Sequence, residues 1–243
     1  MSGLINIPLK SIRINFFTIL LGFSFAASAD VRLAGETAYY TGSISRVHNK
    51  RFFDVIDDQP VKHLVINSTG GEVEAAINLG LWIFYNKVDI EITEYCFSSC
   101  ANYIFPAGYH KTIQPGAIVA WHGNYHHLRN TGLWKDEVMI RMGKYDEDTE
   151  TAERIVLEEV NHLVSLEKDF FSRIGVDEYL CWFGKMPPFN VPDYYFLSRE
   201  DMVYFGLAHI NIPPDYEKTD LSGFKYQIQY INRVSGTTGD IDI

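Results

Sequence analysis

Cysteine is scarce in this sequence, with three in 243 residues, at Cys96, Cys100 and Cys181. That excludes a small fold stapled by several disulfides, so apolar packing has to hold the protein, and hydrophobic residues at 47% supply the material. Positive charge is short as well: 21 Lys and Arg stand against 31 Asp and Glu, a net charge of -10, with no basic block anywhere. Such a surface repels polyanions, which argues against nucleic acid or anionic lipid as a partner. Long apolar runs are also missing. The longest, Ile14 to Ala27, covers about fourteen residues where a membrane-spanning helix needs ~20. Finally, no metal-binding motif is visible. His126 and His127 lie close to His122, but no carboxylate-bearing ligand pattern accompanies them, and adjacent histidines on a strand would face opposite sides. They read as a surface loop, and neither a metal nor a cofactor is expected.

What is present begins with an export signal. Lys10 and Arg13 precede the apolar run, and Ala27-Ser28-Ala29 then offers the small side chains that a signal peptidase requires. Residues 1–29 are therefore expected to be a cleaved signal peptide, delivering a periplasmic or secreted protein with no membrane attachment afterwards. An uncleaved N-terminal anchor is the alternative, and it too places the folded part outside the cytoplasm. An oxidising compartment would permit one disulfide among the three cysteines, and Cys96 and Cys100 are spaced to face each other across a helical turn; buried thiols are the competing reading.

From Gly42 to His122 strand-like and helix-like stretches alternate, the pattern of an α/β domain. Strands are expected over Tyr40–Ser45, Lys62–Asn67, Ile90–Tyr95 and Ala117–Trp121. Val47–Asp58 has helical spacing, and Glu72–Tyr85 places Val73, Ala76, Ile77, Gly80, Leu81 and Phe84 on one face. A short buried helix is expected over Ser98–Phe105. The charged stretch Glu137–Phe171 carries an apolar stripe and is read as helical, and Ser198–Leu207 as a short helix. The expectation is one domain over 30–222 with a helical C-terminal part, followed by a loose tail over 223–243.

Three places carry residues suited to chemistry. Asn67-Ser68-Thr69-Gly70-Gly71 closes a strand and opens a helix, where glycines can bring backbone N–H groups close to a substrate oxygen. Cys96-Phe97-Ser98-Ser99-Cys100 is again a strand end leading into a helix, where a serine stands beside first-turn amides, although serine there is also an ordinary N-cap. His122 ends an apolar strand. Singly each has a plain structural reading. Together they supply oxyanion donors, a nucleophile and a base, the parts needed for acyl transfer.

Those residues also resemble the Clp protease and crotonase superfamily, specifically its Clp protease proteolytic subunits and signal peptide peptidases of type A. The resemblance covers roughly Gly42 to Gly123, with a weaker echo near Ser198 to Leu207. Asn67-Ser68-Thr69-Gly70-Gly71 is similar to the family's Asn-Ser-Pro-Gly-Gly, with Thr69 in place of proline, and Ser99 through Gly108 is similar to its nucleophile helix ending in Ala-Gly. The resemblance implies a spiral of ββα units, a Ser-His-Asp triad and a peptide or protein substrate, with assembly into homo-oligomers. Carried over, Ser99 is the nucleophile, His122 the base, and the amides of Gly71 and Cys100 form the oxyanion hole. Alignment on Ala107-Gly108 selects Ser99, whereas alignment on the Cys-x-Ser-x-Cys pattern of exported relatives selects Ser98. For the third member Asp193 is the candidate, although it lies one residue further back than the pattern asks; a dyad or Asp201 is the alternative. Lys144 would serve a Ser-Lys variant, but it sits in a charged helical stretch. The function expected is an exported serine peptidase or related acyl hydrolase; the alternative is an inactive exported binding or assembly protein on the same fold.

Overall fold

The computed structural model describes residues 30–233. The expected signal segment and the last ten residues of the expected tail lie outside the described residues. The chain is mixed α/β with a mostly parallel sheet, and no helix among the described residues is long and apolar enough to cross a membrane.

The chain opens with a hairpin, β1 (Asp30–Ala34) and β2 (Thr37–Thr41), turning through Gly35. The first strand therefore comes earlier than Tyr40–Ser45, because Ala38 and Tyr40 are the residues that alternate into the core. Ser45 caps α1 (Arg46–Ile56) by accepting a hydrogen bond from the His48 amide, and Phe52 and Ile56 bury the inner face. Next come β3 (His63–Asn67) and α2 (Val73–Asn86), close to their predicted bounds. The expected strand over Ile90–Tyr95 splits into β4 (Asp89–Ile92) and β5 (Tyr95–Phe97), which belong to different sheets. A π-helical turn follows at Cys100–Ile104, then β6 (Lys111–Ile113) and β7 (Ile118–Ala120).

Strands β2, β3, β4 and β6 run parallel, with β1 antiparallel at one edge. The other edge is a two-residue strand, β9 (Ile210–Asn211), parallel to β6. Strand β5 leaves this sheet to pair with β7, and single bridges extend that second layer, Ser68 to Cys96 on one side and Trp121 to Tyr195 on the other. Tyr195 belongs to β8 (Tyr194–Leu197), which pairs in parallel with β10 (Ile228–Ile231). Part of the expected loose tail is thus ordered: Phe224, Tyr226 and Ile228 pack on the core, an alternation that the polar residues between them obscure.

The charged stretch is three helices, α3 (Tyr125–Thr131), α4 (Trp134–Tyr145) and α5 (Thr149–Ile174). Helix α5 lays Val160, Val164, Phe170 and Phe171 inward, and Phe170 meets α2 at Gly80, where an added Cβ would stand 2.3 Å from the Tyr103 carbonyl oxygen and 3.0 Å from the Phe170 ring. A short α6 (Arg199–Tyr204), capped by Ser198, lies against the core through Met202.

Candidate functional site

The three segments singled out above meet at one place, the carboxyl ends of parallel strands β3, β5 and β7, where open α/β sheets put their binding crevices. The glycine pair follows β3, Ser98 follows β5, and His122 lies two residues beyond β7. Gly71, Ser98 and His122 line a cavity of about 400 Å³ together with Asn102, Tyr103, Asn124 and Lys185.

Ser98, not Ser99, faces the histidine. Its Oγ lies 2.7 Å from His122 Nε2, and its backbone sits in the left-handed region at φ 53°. A serine held there costs of order 1–3 kcal/mol, the kind of outlier that collects at functional sites. Ser99 returns to right-handed helical geometry, so its side chain projects elsewhere: it is buried, and its hydroxyl donates to the Gly71 carbonyl at 2.8 Å. Because the two backbones differ in hand, helical spacing counted back from Gly108 does not predict which hydroxyl reaches the cavity. The assignment based on the flanking cysteines does. Cys96 and Cys100 are joined by a disulfide that straddles Ser98 and ties the end of β5 to the π-helical turn. The turn itself is closed by Phe105 N–H donating to the Cys100 carbonyl at 3.0 Å, a wider loop than an α-helix makes and one frequent at functional sites.

The amide that follows Ser98 is that of Ser99, which lines the cavity, while Cys100 is fully buried in the disulfide. As a first-turn residue, Ser99 has no acceptor for its N–H within its own helix. Gly71 lines the cavity as well. The bridge that anchors it uses the Gly70 carbonyl and the Glu72 amide, bonded to Ile44 at 2.8 and 2.9 Å, and so leaves the Gly71 amide outside the bridge.

His122 rests against the Tyr194 ring at 4.6 Å between centroids. Burial pushes its pKa down to about 4, the Lys185 and His127 charges push the same way, and Asp193 opposes them. The imidazole is therefore neutral at pH 7. Asp193 acts on it only at a distance: its carboxylate accepts from the Gln227 amide at 3.1 Å, and no carboxylate pairs with His122 among the described residues. Tyr194, the residue after Asp193, takes the place beside the ring. Asp201 is engaged elsewhere, accepting from the Arg233 amide at 3.0 Å. Lys144 lies on α4, outside this cavity.

The neighbouring histidines are not a surface loop. Both lie on α3: His127 is buried, and His126 pairs with Glu178. Among the described residues no group of side chains is arranged to hold a metal ion. Sequence reasoning overlooked Glu167 on α5, wholly buried, which accepts from Tyr103 Oη at 2.5 Å and from the Tyr125 and His126 amides at 3.0 and 2.8 Å. One carboxylate thus ties the π-helical turn to the start of α3, two walls of the cavity. A single acidic position within an apolar helical stripe was its only signal.

Burial pushes the Glu167 carboxyl up to about 7, against the pull of these three hydrogen bonds. Because the folded value lies above the unfolded one, stability from this group is full below about pH 4.5 and declines as pH rises to about 7. Glu167→Gln would set an amide N–H₂ against a donated N–H. Denaturant unfolding should show a loss of about 2–3 kcal/mol, with a larger deficit at pH 5 than at pH 8. An unchanged midpoint would show that the carboxylate does not brace the two walls.

The fold and the site define an α/β protein with a serine–histidine pair at the strand ends of a mostly parallel sheet. No protein-family model matches the chain, and no curated protein does.

Proposed function

We propose that the protein is an exported serine hydrolase, a peptidase or related acyl hydrolase of the Clp protease and crotonase type, acting on a peptide or protein. The observation that carries this reading is the 2.7 Å contact between Ser98 Oγ and His122 Nε2 in a cavity that Gly71 and Ser99 also line. His122, neutral at pH 7, takes the Ser98 proton as Oγ attacks the substrate carbonyl carbon. The amides of Gly71 and Ser99 receive the oxyanion. The imidazolium then protonates the leaving amine as the carbon–nitrogen bond breaks, and water, activated by the same imidazole, hydrolyses the acyl-serine. Export is supported by the N-terminal sequence pattern, and by the Cys96–Cys100 disulfide, which persists in oxidising compartments. The ββα spiral and homo-oligomeric assembly follow from the resemblance alone.

A second reading, a binding or assembly protein that keeps the fold without turnover, is favoured by one observation: among the described residues no carboxylate pairs with His122. Labelling with an alkyl fluorophosphonate separates the two. The active form is neutral His122, so labelling should persist on acidification and fall only as pH drops through about 4, well below the 6.5 of free histidine. Lys185→Met removes a depressing charge and should move that midpoint upward; Asp193→Asn should move it down. Folded wild-type protein that takes no label at any pH would establish the binding reading instead.

A further inference from the structure

A base histidine ordinarily owes its orientation to a paired carboxylate, which also stabilises the imidazolium. His122 has no such partner among the described residues. What it has is an aromatic ring against its own. The Tyr194 ring lies 4.6 Å from the imidazole between centroids, inclined by 37°, while Ser98 Oγ meets Nε2 at 2.7 Å. Tyr194 is itself held. It is buried on β8, and the rings of Phe97 and Tyr226 close on it at 5.4 and 5.1 Å. Phe97 and Tyr226 also meet each other at 6.1 Å, so the three rings form a closed set. Phe97 is the residue before Ser98, which ties the support of the base to the strand that carries the nucleophile.

We propose that Tyr194 is the positioning residue of His122, its ring doing the work of the missing carboxylate and its own place being set by Phe97 and Tyr226. The proposal rests on the hydrolase reading. Packing against the imidazole restricts its rotation about χ2, a broad torsion when left free, so Nε2 keeps its approach to Ser98. The imidazolium that forms when Nε2 takes the Ser98 proton is attracted to the negative face of the same ring. The phenol does not stand in as an anion: burial pushes its pKa up to about 12, and Tyr194 Oη makes no hydrogen bond among the described residues. The charged and titratable groups that bear on His122 are Lys185 and His127, which hold its pKa down, and Asp193, which opposes them. None of the three hydrogen-bonds to it among the described residues, so none fixes its angle.

The test measures labelling of Ser98 by an alkyl fluorophosphonate in Tyr194→Phe, Tyr194→Leu, Tyr226→Ala and Asp193→Asn, at pH 8 where the imidazole is neutral in every variant. Denaturant unfolding shows that each is folded, and an NMR titration follows the His122 ring. Tyr194→Phe keeps the ring and should label within about twofold of wild type. Tyr194→Leu keeps apolar bulk without the ring and should slow labelling on the order of 10–100-fold. Water reaching the uncovered imidazole should also raise its midpoint from about 4 toward 6.5, a change that loosened packing elsewhere would not produce. Tyr226→Ala, which leaves the His122 contact in place, should slow labelling less, by about threefold to tenfold. Tyr194→Leu labelling at the wild-type rate, Tyr194→Phe slowing as much as Tyr194→Leu, or Asp193→Asn slowing as much as either, overturns the role of the ring and leaves the hydrolase reading standing. If folded wild-type protein takes no label, the hydrolase reading falls and the positioning role with it.

Discussion

Ser98→Ala should abolish fluorophosphonate labelling and lower any hydrolytic rate by a factor of about 10⁴–10⁶, while Ser99→Ala labels close to wild type. The two serines are neighbours of the same chemistry, so the contrast isolates geometry. Only the Ser98 hydroxyl has a base, His122 Nε2 at 2.7 Å, and only Ser98 sits at positive φ, turned out of the helix that follows. The Ser99 hydroxyl is spent on the Gly71 carbonyl, so its removal should appear in unfolding curves as a loss of about 1 kcal/mol and as a modest decline in rate from a looser glycine loop. His122→Ala should match Ser98→Ala, and the double variant should be no worse than either, because nucleophile and base act as one unit. Labelling retained in Ser98→Ala and lost in Ser99→Ala would restore the register that helical spacing implies and would require the turn to rearrange on binding.

The parts of the fold legible in the sequence are those where one periodicity holds across the whole element. Leu64 and Ile66 lie within a short apolar run bounded by turn residues, and α2 buries Ala76, Ile77 and Gly80 of the face that the sequence marks. Strand β6 escaped because its inward residue at one end is Lys111, buried with its ammonium on the Gly108 and Ala208 carbonyls, so a core position wears a surface residue's chemistry. Strand β10 escaped because its partner β8 is remote in sequence. At the site the same division holds. The meeting of the glycine pair, the serine pair and His122 was legible, since each closes a parallel strand and such ends converge. Which serine faces His122 stayed open between two alignments, because it depends on a single φ whose sign a non-glycine residue does not announce, and only the flanking cysteines pointed to Ser98. The separation of Asp193 from His122 was not legible, since it follows from Tyr194 occupying the face of the ring.

Gly71→Ala should be the most damaging substitution that leaves every functional group of the site in place. An added Cβ would stand 2.0 Å from the Ile44 carbonyl oxygen, and the residue holds φ 151°, which side chains rarely adopt. The collision is with backbone, and that carbonyl is already fixed by the Glu72 amide at 2.9 Å, so no side-chain rotation relieves it. The loop must move, at a cost of about 4 kcal/mol or more, which for a chain of this size lowers Tm by roughly 10 °C. Moving it displaces the Gly71 amide from the cavity and breaks the Ser99 hydroxyl contact, so labelling of Ser98 should fall even at temperatures where the variant is folded. Gly116→Ala separates strain from collision. Its φ of 82° is equally foreign to alanine, but nothing lies within 4 Å of the new Cβ. That variant should lose about 1–2 kcal/mol and keep its labelling rate. Equal losses in the two variants would mean that backbone conformation alone accounts for the cost and that the approach of Gly71 to Ile44 is slack. A Gly71→Ala protein that melts early yet labels at the wild-type rate would remove the Gly71 amide from the oxyanion hole and leave Ser99 as its donor.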